Sequence, residues 1–251
     1  MRISVHADAA ALGAAAAAEV AHAIVDAVKA RGRARVIVAT GASQFTFIDA
    51  LVARTDVPWP QVDAFHLDEY IGLPLTHPAS FRKYLQERLF SRVPIGSAYL
   101  LDGEGEPAEV LAAAAAAIGA APIDLCCCGI GENAHLAFND PPADFTTEQP
   151  YLVVDLDEAC RMQQVGEGWF GGLSDVPTQA ISMSVRQILA SRQIFCMVPD
   201  ERKSAAVQKS VEGPVTPEVP ASILQTHANT RLLLDPSSAS RLQPGTIAAH
   251  S

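Results

Sequence analysis

Apolar positions along this chain fall into two alternating patterns. Short, nearly continuous runs such as Val36-Ile37-Val38-Ala39 and Ile123 to Cys128 read as strands buried on both faces, whereas longer stretches with apolar residues three and four apart read as helices. The pattern predicts helices over about 8–31, 44–54, 79–90, 106–119, 179–190 and 200–210, with a short terminal one. Strands are expected at 35–40, 62–67, 97–101, 123–128, 193–198 and 230–234. The alanine runs Ala14 to Ala18 and Ala112 to Ala117 sit inside helical patterns, where alanine is the best helix former. Strands alternating with helices imply an α/β fold of three layers, α/β/α, built on a mostly parallel, Rossmann-like sheet. A Pro-rich, irregular stretch over about 139–178 is longer than an ordinary connection and reads as a lid or binding element.

Length and charge narrow the possibilities. The 251 residues, 49% of them hydrophobic and 18% charged, suit one large domain spanning 1–251, with a lid-like segment at about 141–178. A formal charge of -10 argues against a nucleic-acid partner, so an anionic ligand has to be held by local donors. No stretch looks like the ~20 continuous apolar residues of a membrane span, and no apolar leader precedes a cleavage site, so a soluble cytoplasmic protein with no membrane partner is expected. Three of the five cysteines, Cys126, Cys127 and Cys128, are adjacent in a predicted core strand. Neighbouring strand residues face opposite sides, so they read as small buried apolar residues and not as a metal site.

The chemistry concentrates in a few segments. Gly129-Ile130-Gly131-Glu132-Asn133-Ala134-His135-Leu136-Ala137-Phe138-Asn139-Asp140-Pro141 follows a buried strand and packs a histidine, carboxylates and amides behind two glycines. Ligands in open α/β sheets bind at that end of the strands. His135 is suited to moving a proton near neutrality, with Glu132 or Asp140 as the carboxylate that orients it. A second strand ends in Asp68 and Glu69, whose side chains must diverge. One of them can face the crevice as a general base next to a carbonyl or imine, or the pair can cap the following turn. Thr40-Gly41-Ala42-Ser43 links a strand to a helix and is an anion site in principle, with Lys203 as a candidate point charge.

Together these segments resemble the glucosamine-6-phosphate deaminase (isomerase) family, whose fold is shared with 6-phosphogluconolactonases and is similar to ribose-5-phosphate isomerase. The strongest pieces are Asp68-Glu69-Tyr70-Ile71-Gly72-Leu73-Pro74 with His77-Pro78-Ala79-Ser80, and Gly129-Ile130-Gly131 with His135 through Pro141. Val211-Glu212-Gly213-Pro214 and Pro220 through His227 add weaker support. The resemblance implies that Asp68 moves a proton between C2 and C1 and that His135 opens the pyranose ring, assisted at the Asp140 position. It further implies that Thr40, Gly41, Ala42, Ser43 and Lys203 hold the substrate phosphate, with no metal and no organic cofactor. Glu69 is included with the substrate-binding residues. Arg161 is expected to reach the phosphate from the lid, on position and charge.

Three departures from the family pattern stand out. Asn133 and Ala134 replace the usual aspartate and glycine before the histidine, and Asp140 replaces a longer glutamate. Asn133 carries no charge with which to stabilise a histidinium. The basic segment that builds an allosteric site in some members is absent after Asp140, where Asp144, Glu148, Asp155, Asp157 and Glu158 occur instead. The implied reaction converts D-glucosamine 6-phosphate and water to D-fructose 6-phosphate and ammonia. Lactone hydrolysis and a catalytically impaired sugar-phosphate-binding regulator are the alternatives. The partner is a small sugar phosphate, and a homo-oligomer is compatible with the resemblance.

Overall fold

The computed structural model describes residues 1–250. The chain runs β1 (Arg2–Val5), α1 (Ala9–Arg31), β2 (Ala34–Val38), α2 (Phe45–Val52), β3 (Val62–His66), β4 (Asp68–Tyr70), α3 (Phe81–Leu85), β5 (Ser97–Tyr99), α4 (Pro107–Gly119) and β6 (Leu125–Cys128). It continues through β7 (Tyr151–Asp155), α5 (Glu158–Gly166), β8 (Gln179–Met183), α6 (Val185–Leu189), β9 (Gln193–Val198), α7 (Ser204–Glu212), β10 (Thr230–Leu234) and α8 (Pro244–Ala249). Seven strands form the central sheet in the order β1-β10-β9-β6-β2-β3-β5, and every neighbouring pair is parallel.

Alternation within the strands builds a core on each side of this sheet. Val36, Val38 and Cys127 pack with Leu12, Val20 and Ile24 of α1 and Phe47 and Leu51 of α2, while Ile37, Cys126 and Cys128 face Ile118 of α4 and Val207 of α7. Each fully buried leucine or isoleucine contributes roughly 1.5–3 kcal/mol through removal of apolar surface from water. That split is the three-layer arrangement. The five cysteines are free and buried, as small apolar residues would be.

Helix α1 corrects one expectation. Its 23 residues include an 18-residue window of mean hydropathy 1.5, long and apolar enough by length and composition to cross a membrane. Half of that window is buried in the fold, against the sheet and α2. Asp8 starts the helix by accepting the N–H of Ala11, and Gly32 ends it in a left-handed conformation at φ 79°.

The other corrections cluster after residue 139. The segment expected to be irregular contains β7 and α5, and the predicted helix over 179–190 is strand β8 followed by α6. Strands β4, β8 and β7 form a separate antiparallel sheet in that order. Tyr70, Phe138, Cys160, Phe170 and Ala180 form its core with α5. Gln179 to Met183 reads as a helix when joined to the residues after it, and only pairing on both edges holds it extended. Strand β1 also escaped the periodicity, being four residues long.

Candidate active site

Strand β3 ends at His66, and after Leu67 the chain enters β4 in the second sheet, which places Asp68 where the two sheets meet. The side chains of Asp68 and Glu69 point to opposite faces, as the strand geometry requires. Asp68 lines a cavity of about 310 Å³. Glu69 is turned away and fully buried, and this corrects its expected role in substrate binding. Its Oε1 accepts the N–H groups of Tyr70 (3.0 Å) and Phe81 (3.1 Å), and its Oε2 accepts Arg82 N–H (2.7 Å) and the Ser80 hydroxyl (3.2 Å). It therefore fixes the turn from β4 into α3. Burial, with the charge of Glu69 next to it, pushes the Asp68 carboxyl up to about 8.

The cavity is closed on the other side by the loop that follows β6. Gly129, Ile130, Gly131, His135, Ala137 and Phe138 all line it. His135 Nδ1 lies 3.1 Å from Asp140 Oδ1, which leaves Nε2 as the ring nitrogen available to a ligand. A Cβ on Gly131 would sit 2.2 Å from that Nε2, so only glycine admits the imidazole in this orientation. Ala134 adopts φ 70°, the left-handed region that glycine occupies without cost. The family's usual glycine there is thus replaced at about 1 kcal/mol of strain.

Asp140 is the partner of His135, and Glu132 is not. Glu132 lies 3.6 Å from Arg202 and 3.8 Å from Lys203, outside the cavity wall. Asp140 accepts from Asn133 Nδ2 at 2.9 Å and from the backbone N–H of Asp157 at 3.2 Å, besides its contact with His135. Burial raises the Asp140 carboxyl, but the His135, Asn133 and Asp157 bonds together outweigh it and hold the group below the usual carboxylate range. The amide of Asn133 is oriented by His135, whose backbone N–H donates to Oδ1 at 3.0 Å. His135, Asp140 and Cys160 bring ligand-type atoms within 4.8 Å of one another. Burial, reinforced by the charges of Asp140 and Asp157, pushes the Cys160 thiol up.

The other end of the cavity is built from two strand-to-helix crossings. Thr40, Gly41, Ala42 and Ser43 line the cavity between β2 and α2, with Gly41 at φ 96°. Tyr84 of α3 ties this loop down by donating its hydroxyl to the Gly41 carbonyl at 3.3 Å. Lys203 lines the same cavity with a side chain only 7% exposed, so it is not a solvated surface lysine. Burial lowers its pKa, while Glu167 and Glu132, 4.0 and 3.8 Å away, oppose that shift.

Arg161 is also a correction. Its guanidinium donates to the carbonyls of Leu173 (2.7 Å) and Val176 (3.0 Å), and the residue does not line the cavity. It stitches α5 to the segment before β8. Helix α5 and the residue after it contribute Gln163, Gln164 and Glu167 instead, and Arg202 joins them beside Lys203. Sequence reasoning missed all four. Adjacency of Arg202 to Lys203 was the available signal for one of them; the other three became cavity wall only because α5 folds back over the loop.

A family model described as glucosamine-6-phosphate isomerases/6-phosphogluconolactonase matches residues 7–233. The chain belongs to this family. A glucosamine-6-phosphate deaminase from Streptococcus uberis is 34% identical over 227 residues, covering 89% of this chain and 94% of that protein. One from Streptococcus thermophilus is 35% identical over 205 residues, covering 81% of this chain and 86% of the other. Among solved structures, a monomeric glucosamine-6-phosphate deaminase superposes with TM-score 0.87 at 26% identity, covering 96% of this chain and 99% of its own. The 6-phosphogluconolactonase of Trypanosoma brucei gives 0.77 at 17% identity over 96% and 98%, a likeness of fold. The glucosamine-6-phosphate isomerase/6-phosphogluconolactonase family therefore accounts for the parallel sheet.

Proposed function

We propose that this chain is a glucosamine-6-phosphate deaminase, converting D-glucosamine 6-phosphate and water to D-fructose 6-phosphate and ammonia. The observation that carries the reading is a single cavity lined at once by Asp68, His135, the Thr40 to Ser43 loop and Lys203. Its volume of about 310 Å³ lies within the range of small-molecule sites. The curated relatives at 34% and 35% identity that carry the deaminase name support the same activity.

The phosphate rests on the 40–43 loop at the start of α2, where backbone N–H groups favour an anion, and on Lys203. His135, held by Asp140 through Nδ1, takes the anomeric hydroxyl proton at Nε2 and returns it to the ring oxygen as the ring opens. Asp68 then removes the proton from C2 of the open-chain amino aldehyde and delivers it to C1, while a proton passes from the amino nitrogen to O1. The resulting C2 imine is attacked by water, ammonia leaves, and the ketone remains. Burial and the Glu69 charge favour the protonated form of Asp68, and the ammonium on C2 of the substrate favours the carboxylate by opposite charge. Stored as a weak acid, Asp68 is well matched to shuttling a proton near neutral pH.

Ammonia release from a panel of hexosamine 6-phosphates, with 6-phosphogluconolactone hydrolysis assayed in parallel, tests the proposal. Ammonia from the gluco substrate that is lost in Asp68→Asn is the expected result. Lactone hydrolysis without ammonia, or unimpaired ammonia release in that variant, overturns it.

A further inference from the structure

The sequence puts asparagine where the family pattern has an aspartate, leaving the histidine short of one charge. The structure shows where a second carboxylate comes from. Asn133 Nδ2 donates to Asp140 Oδ1 at 2.9 Å and also to Asp157 Oδ2 at 3.3 Å. Asp157 lies at the N-terminus of α5, where its Oδ1 caps the helix by accepting Cys160 N–H at 2.5 Å. Its own backbone N–H donates to Asp140 Oδ2 at 3.2 Å. Asp157 thus reaches Asp140 directly through its main chain and indirectly through the Asn133 amide.

The orientation of that amide leaves little freedom. Oδ1 is taken by the N–H of His135, so both Nδ2 protons face carboxylates. An aspartate at 133 would set a third carboxylate against Asp140 and Asp157, and the asparagine is therefore the residue this pair of acids demands. The groups that face the amide are His135 and Asp140 from the loop and Asp157 at the start of α5, while Cys160 lies beside His135 and Asp140. Asp68 bears on Cys160 from β4, and Glu132 is engaged by Arg202 and Lys203. The helix that supplies Asp157 also carries Gln163 and Gln164, which wall the cavity.

We infer that Asp157 is a positioning residue for the His135–Asp140 pair, acting through Asn133, so that the ring-opening step depends on α5 being docked over the cavity. Asp157 touches no part of the cavity and acts only by holding Asn133 and Asp140 in place. The inference rests on the deaminase reading for its kinetic consequence.

Asp157→Ser is the test variant, because serine caps a helix nearly as well as aspartate but lacks the second oxygen that meets Asn133. It is expected to lower kcat roughly tenfold with KM for D-glucosamine 6-phosphate unchanged, the scale of one hydrogen bond to a charged group. Serine keeps the main-chain N–H that Asp140 accepts, so the acid limb in the pH profile of kcat/KM does not move to higher pH in Asp157→Ser, whereas in Asn133→Ala it does, because Asp140 loses a hydrogen bond to its ionised form. Asn133→Ala lowers kcat as well, and the double variant costs no more than the worse single one. Additive losses, an unmoved acid limb in Asn133→Ala, or wild-type kcat in Asp157→Ser with an unchanged melting temperature would overturn the inference. Absence of ammonia release from the wild-type protein would instead remove the deaminase reading on which it rests.

Discussion

Replacing Asp68 by asparagine should abolish turnover and at the same time make the protein more resistant to alkaline unfolding. In the folded chain burial and the Glu69 charge hold the Asp68 carboxyl up to about 8, against 3.8 for an exposed aspartate. Between those values the unfolded state has released the proton and the folded state has not, so the unfolded state binds fewer protons. Stability must then fall as pH rises through the window and level off above it. Each unit is worth about 1.4 kcal/mol, so wild type loses roughly 4 kcal/mol from this group between about pH 5 and pH 8. The asparagine of the variant does not titrate, and Glu69 contributes alike to both proteins. For a chain of this size, 1 kcal/mol moves the melting temperature by about 2–4 °C. The gap between variant and wild type should therefore widen in favour of the variant by roughly 10 °C between about pH 5 and pH 9. Thermal melts across that range, read beside ammonia release, supply both halves of the result. A gap that stays constant with pH would show that Asp68 is ionised at neutrality and would refute the burial argument. Loss of a general base should cost about 10²–10⁴-fold in turnover.

Other positions give sharper local tests. Gly131→Ala sets a methyl against His135 Nε2 and should lower kcat roughly hundredfold by displacing the ring, with the fold retained on circular dichroism. Lys203→Met keeps the buried stem but removes the charge, so KM should rise about ten- to hundredfold, and inorganic phosphate should lose its competitive inhibition to the same degree. Arg161→Ala should leave phosphate inhibition unaltered while exposing the 166–178 segment to proteolysis, because the guanidinium holds the Leu173 and Val176 carbonyls. A weaker grip on phosphate in that variant would restore the role expected from charge alone.

The parallel sheet was legible because its strands are buried on both faces, and such strands announce themselves as apolar runs that no pairing partner is needed to recognise. The same logic made the Gly129 to Pro141 loop visible, along with the divergence of Asp68 from Glu69. The antiparallel sheet was not legible. Val153 and Asp155 of β7 are exposed, and the strand lies inside a Pro-rich stretch, so its alternation was masked by its surroundings. Strand β8 carries a sequence equally ready to continue into the helix after it, and its conformation is set by hydrogen bonds to β4 and β7.

For the site the division follows charge and distance. Residue type and spacing pointed to His135 and Asp68, the family resemblance added weight to the Thr40 to Ser43 loop, and the structure brings all three to one cavity because each follows the end of a parallel strand. Arg161, Glu69 and Glu132 were nominated by charge, which has no direction in a sequence, and the structure commits each of them to other partners. Asn133 looked like a missing charge for the same reason. Only the tertiary packing of α5 against the loop brings Asp157 within reach of its amide, because hydrogen bonds are decided by distances of about 3 Å that chain spacing cannot encode.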